Sequence, residues 1–149
     1  MRTGMGALAL LLIGPIAAQQ APDARAPVPL PPMMREHMLA NMRDHLRTLD
    51  RIVAAVAAER YVEASRLAEE RLGMSSLRAH DAEHFAQYLP KQMQAAGTSM
   101  HRAASRFALV AGDSDVDRSY QGLLRLSSAL GELAATCVAC HDAYRLAEP

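Results

Sequence analysis

Tryptophan is missing from this chain of 149 residues, and aromatic side chains are scarce, with two phenylalanines and four tyrosines. Cysteine occurs only at 137 and 140, so the second ligand pair that a structural zinc site requires is lacking. An excess of one charge is lacking too. Sixteen basic side chains balance 16 acidic ones, no basic patch stands out, and nucleic acid is therefore not indicated as a partner. The one marked apolar run, 7–13, is too short to span a bilayer. No nucleophile triad, Gly-rich phosphate loop or pair of catalytic carboxylates can be picked out. Glu59 with Glu63, and Glu69 with Glu70, read as solvated helix face. Nothing here indicates an enzyme.

What is present favours helix, because Ala, Leu and Arg dominate. Residues 1–18 have the form of a secretory signal: Arg2 gives the basic start, 7–13 the apolar run, and Pro15-Ile16-Ala17-Ala18 the small residues for cleavage. The alternative is an uncleaved N-terminal anchor. No cysteine follows the run, which argues against a lipid anchor. Cleavage after Ala18 would release the chain to the periplasm, off the membrane, with 15 basic and 16 acidic residues and a net charge of −1. The stretch 19–32 holds five prolines and should be an extended, mobile leader to one domain, 33–149.

Four amphipathic segments follow. Residues 33–59 carry a core stripe of Leu39, Met42, Leu46, Leu49, Val53 and Val56, with Met34 and Met38 beside it. Residues 61–72 form a second helix that Gly73 stops, and a further helical piece capped by Ser75 or Ser76 ends at Pro90. The third long helix, 91–111, has the stripe Met93, Ala96, Met100, Ala103, Phe107 and Val110, with Gly112 as its stop and the polar run 113–115 as the next cap. The last, 116–145, lines up Leu123, Leu126, Leu130, Leu133, Cys137, Cys140 and Tyr144. An all-α, antiparallel four-helix bundle is the economical fold.

The most specific stretch is Cys137-Val138-Ala139-Cys140-His141. Two thiols three residues apart with a histidine after the second is the c-type haem attachment pattern. Each thiol adds to one haem vinyl group, and the imidazole becomes an axial iron ligand. On a helix, positions 137, 140 and 141 share one face, so all three reach one macrocycle. A thioredoxin-like CxxC would want a βαβ context, and a disulfide across CxxC in mid-helix is geometrically awkward.

The full motif CVACHDAYR, at the end of the last of four helices, resembles the cytochrome c′ family and its low-spin, methionine-ligated relatives, whose form is CxxCHxxYR. The resemblance implies one covalent haem c near the C-terminus of the last helix, with Cys137 and Cys140 as attachment points and His141 as proximal ligand. It implies that Arg35 reaches a haem propionate and that Leu39, one turn on, occupies the distal position. Arg145 would add positive charge near the proximal ligand. The departure is Met38, immediately before Leu39. With Met42 it offers a thioether to the sixth position, which would make the protein an electron carrier serving redox partner proteins. An apolar Leu39 over the iron would instead leave a five-coordinate site for NO or CO. The family often forms a homodimer through its first two helices, and that state is left open here.

Two other constellations compete. His80-Asp81-Ala82-Glu83-His84 spells HxxEH, the pattern of one zinc metalloprotease group, but a protease would need a third ligand and a substrate cleft. The histidines would share a helix face as a metal pair, or else be plain solvated surface. His37, Met38, Met42 and His45 suit Cu(I), so a Met/His copper-binding bundle is the alternative of another class. His101 reads as a polar residue at the core boundary.

Overall fold

The computed structural model describes residues 22–148, so the expected signal at 1–18 and the first residues of the leader lie outside the described residues. The described chain is mostly helical: α1 (Pro32–Ala57), α2 (Tyr61–Arg71), a short α3 (Ala82–Ala86), α4 (Lys91–Val116) and α5 (Tyr120–Ala143). Two strands, β1 (Ala26–Pro29) and β2 (Tyr144–Ala147), pair in parallel with Ala26 opposite Tyr144. Along the chain α1 packs on α2, α2 on α4 and α4 on α5.

Helix α1 starts as its sequence suggests, with Pro32 in the first turn, where a missing N–H costs nothing. It ends when Glu59 turns left-handed (φ 56°) and Arg60 N–H donates back to the Ala55 carbonyl at 2.8 Å. Its buried face differs from the expected stripe. Met34, Met38, Thr48, Ile52 and Ala55 point inward, while Leu46 and Val53 are exposed. The Ala-rich second half meets α2 through Ile52 and Ala55, which rotates the contact face by about one residue, or 100°.

The main core joins Ile52 and Ala55 of α1, Ala64 and Leu67 of α2, Phe107 and its neighbours on α4, and Leu126 and Leu133 of α5. The expected α4 stripe is inward, with Met100, Ala103 and Phe107 buried. Gly112, however, does not stop α4, which runs on to Val116. Burial of Ala111 and Ser114 carries the helix past a glycine that costs only about 1 kcal/mol. The cap of α5 is accordingly Ser119, whose hydroxyl accepts from Gly122 N–H at 3.0 Å, not the run 113–115. Helix α5 is the one described helix long and apolar enough to cross a bilayer, yet it lies along α4 and buries Gly122, Leu126 and Leu133 there.

Gly73 does follow α2. A side chain there would run into the Glu69 carboxylate and backbone. The helical piece expected from Ser75 or Ser76 to Pro90 is separate from α2 and shorter: a 3₁₀ turn (Met74–Ser76) leads to Asp81, which is left-handed at φ 53°, and only then does α3 begin.

The leader is extended as expected, but part of it is built into the domain. Leu30 N–H donates to the Ala147 carbonyl at 3.3 Å, so residues 26, 28 and 30 face β2 and the prolines at 27 and 29, which have no N–H to give, point away. Val28 and Leu30 are fully buried with Met34, Met38 and Phe85 in a second apolar cluster. Strand pairing also ends α5 at Ala143, two residues before the expected Arg145, because Tyr144 and Leu146 pack on that cluster. Val28→Ala is expected to cost about 1–2 kcal/mol in urea unfolding, since two methyl groups leave a dry site. A free leader would give no change.

Candidate functional site

Between the N-terminal half of α1 and the C-terminal end of α5 lies a cavity of about 590 Å³. Its wall is mainly apolar, with Met38, Leu39 and Met42 of α1, Phe85 of α3, and Met93 and Met100 of α4. Cys140 and His141 reach it from α5, Tyr144 and Arg145 from β2, and Arg25 from the chain ahead of β1. Six of the expected site residues therefore meet here: Met38, Leu39, Met42, Cys140, His141 and Arg145. Two do not. Cys137 sits one turn earlier, packed against the main core with its thiol 3.7 Å from the Leu133 carbonyl. Arg35 does not line the cavity either.

Both thiols are unpaired and half-buried, and burial pushes each above its ordinary pKa. At neutral pH they are thiols, not thiolates. The two arginines share a feature. Arg35 Nε and Arg145 Nε are both buried, without a hydrogen bond among the described residues. Among the described residues, the acid nearest Arg145 is Asp23 at 3.7 Å, and Arg35 pairs with Glu36 at 4.0 Å. A guanidinium with a buried, idle N–H suits a carboxylate brought by a ligand. Arg145 was expected one turn beyond His141 on the same helix. It stands instead on β2, still at the cavity.

Sequence reading missed Arg25, because 19–32 was set outside the domain. Its guanidinium holds Asp23 at 2.8 Å, and that hydrogen bond brings the Asp23 carboxyl down to about 2. Arg25 and Arg145 flank Asp23 and put positive charge at this end of the cavity.

The opposite part of the wall carries His45 of α1, His80 of the turn before α3, and His101 of α4. His101 is buried, not a boundary residue. His80 and His84 do not share a helix face: α3 starts between them, and His84 turns to Tyr88 and Gln87. Of the four copper candidates three come together and one stands apart. Met38, Met42 and His45 line the cavity, while His37 packs edge-on against Phe85 at 4.9 Å. No family model, curated protein or solved structure matches the chain.

Proposed function

We propose that this protein is an exported, periplasmic c-type cytochrome of the cytochrome c′ kind, with α1, α2, α4 and α5 as its antiparallel four-helix bundle. The observation that carries the reading is the common cavity. Cys140, His141 and Arg145, from one end of the chain, open onto the same apolar space as Met38, Leu39 and Met42 from the other. The residues fit haem c. In sequence the two thiols and the imidazole have the spacing of thioether attachment and axial ligation. Cys140 and His141 open onto the cavity, and Cys137 would turn from the main core to join them. The buried, unbonded Nε of Arg145, which lines the cavity, suits a propionate; Arg35 keeps that role by the family resemblance alone.

When bound, the haem supplies a one-electron Fe(II)/Fe(III) couple. The protein's part is attachment by Cys137 and Cys140, proximal ligation by His141, exclusion of water by the methionine-rich wall, and charge placement by Arg35, Arg145 and Arg25. Met38 is the foremost candidate for the distal ligand, because it is 9% exposed and borders the cavity. Met42 is the second. Partners are then redox proteins. A homodimer through α1 and α2 is supported by Leu46, Val53 and Val62, all apolar and exposed on those helices.

A second reading rests on Leu39, which borders the same cavity and would leave a five-coordinate site for NO or CO. Absorption spectra of the exported protein, oxidised and reduced, with and without CO, separate the two. Low-spin bands without a CO response are expected. Met38→Ala should convert the spectrum to a high-spin, CO-binding form, whereas Met42→Ala should not. A wild-type spectrum that is already high-spin and shifts with CO would replace the electron carrier by the gas-binding protein.

A further inference from the structure

The histidines on the inner wall belong to three different elements that the fold draws together. Ring centroids are 4.6 Å apart for His45 and His80, 5.6 Å for His80 and His101, and 6.1 Å for His45 and His101. Imidazoles bound to one tetrahedral ion at about 2.0–2.1 Å stand with ring centres about 5 Å apart. The cluster therefore has the spacing of a three-imidazole site.

The hydrogen bonds around the rings select the nitrogen that each presents. His101 Nδ1 lies 2.7 Å from the Leu72 carbonyl, which can only accept, so Nδ1 carries the proton and Nε2 keeps its lone pair. Ser76 donates its single hydroxyl hydrogen to the Gly73 carbonyl at 2.7 Å. Its oxygen is then an acceptor for His80 Nδ1–H at 3.3 Å, which leaves His80 Nε2 free as well. Such partners are the outer hydrogen bonds that orient metal-binding histidines. Asn41 fixes the turn further by donating to the His80 carbonyl at 3.2 Å.

His45 is the third imidazole of the cluster. Its Nε2 is buried and has no hydrogen-bond partner among the described residues. A buried nitrogen left unmatched is costly, and a ligand that takes its lone pair removes that cost. Among the described residues no three ligand atoms are yet gathered about one point, and His45 meets its two neighbours edge to face. Turning the side chains about their χ angles is what an ion must supply. The charge around the cluster permits a cation: Arg71, whose charge is felt at His80, is tied to Asp44 at 2.8 Å.

We propose that His45, His80 and His101 form a binding site for one divalent transition ion, with Zn²⁺ the best match, held by three Nε2 atoms with its fourth position open to the cavity. The site shares the cavity with Cys140 and His141 but uses none of the residues that would attach or ligate haem, and it does not depend on haem. It would clamp α1, the 74–81 turn and α4 together.

The test is calorimetric titration of Zn²⁺ into untagged, full-length exported protein stripped with chelator. Binding of one ion per chain is expected. Loss of an outer partner from a metal site costs about 10–100-fold in affinity. Ser76→Ala should fall in that range, and His45→Gln and His80→Gln should each lose more. Exposed His84 is the control, and His84→Gln should bind as wild type does. Far-UV circular dichroism checks that the glutamine variants keep their helix content. The proposal is overturned if the wild type takes up no Zn²⁺, if neither His45→Gln nor His80→Gln weakens uptake, or if His84→Gln weakens it equally.

Discussion

Protein carrying both Cys137→Ala and Cys140→Ala, exported from a host that attaches c-type haem, is expected to retain no haem after acid–solvent extraction and to show the mass of the bare polypeptide. Wild type should keep one haem through the same treatment, because a thioether does not dissociate in acid. Each single variant should keep a covalent haem with one vinyl group still conjugated, which moves the reduced band to longer wavelength. The loss should be visible in stability too. An apolar space of about 590 Å³ is far larger than the voids of a close-packed interior. Its wall holds much of the second cluster, including Met38 and Phe85. The double variant should therefore melt at lower temperature than wild type. Wild-type protein with the bare polypeptide mass would defeat the haem reading.

What the sequence revealed was mostly what short-range pattern encodes. The CVACH spacing depends on one helical turn, and its residues stand where that turn puts them, although Cys137 turns to the core and only Cys140 and His141 reach the cavity. The α4 face from Met100 to Phe107 is legible because a long helix between two neighbours must keep a 3.6-residue period. The face of α1 was misread, since which of two adjacent stripes is buried depends on where α2 lands. Gly112 was misread for a related reason: a local stop signal worth about 1 kcal/mol was outweighed by tertiary burial of Ala111 and Ser114.

The remaining misses are non-local. Nothing near 26–30 announces that its partner is 144–147, more than a hundred residues on. Prolines at alternate positions look like a disordered leader until the partner strand leaves only their side without a donor. Asp81, left-handed without being glycine, split what HxxEH suggested was one helix. The grouping of His45, His80 and His101 could not be read from spacing at all, because each comes from a different element. The only available signal was an unusual number of histidines in a small helical chain.

Those histidines set the second large effect. In chelator, stability to urea is expected to fall by about 2–3 kcal/mol between pH 7 and pH 4.5, at about 1.4 kcal/mol per pH unit for one group. Burial first, then the neighbouring His80 and His101, push His45 down from 6.5 to about 4, while Asp44 pulls the other way. Burial lowers His80 and His101 as well, with Asp44 and Arg71 acting in opposite senses on His80. An unfolded chain binds protons at these positions near pH 6.5, whereas the folded one resists until about pH 4 at His45. Across that window the unfolded state holds more protons, so the stabilisation is complete above pH 6.5 and is lost as pH falls towards 4. The lowered carboxyls, Asp23, Glu63, Glu69 and Asp117, lose their contribution mainly below about pH 5, so the imidazoles dominate this window. His45→Gln removes the group with the largest effect and should flatten the slope by about half or more. An equally steep slope in His45→Gln would place the acid sensitivity elsewhere.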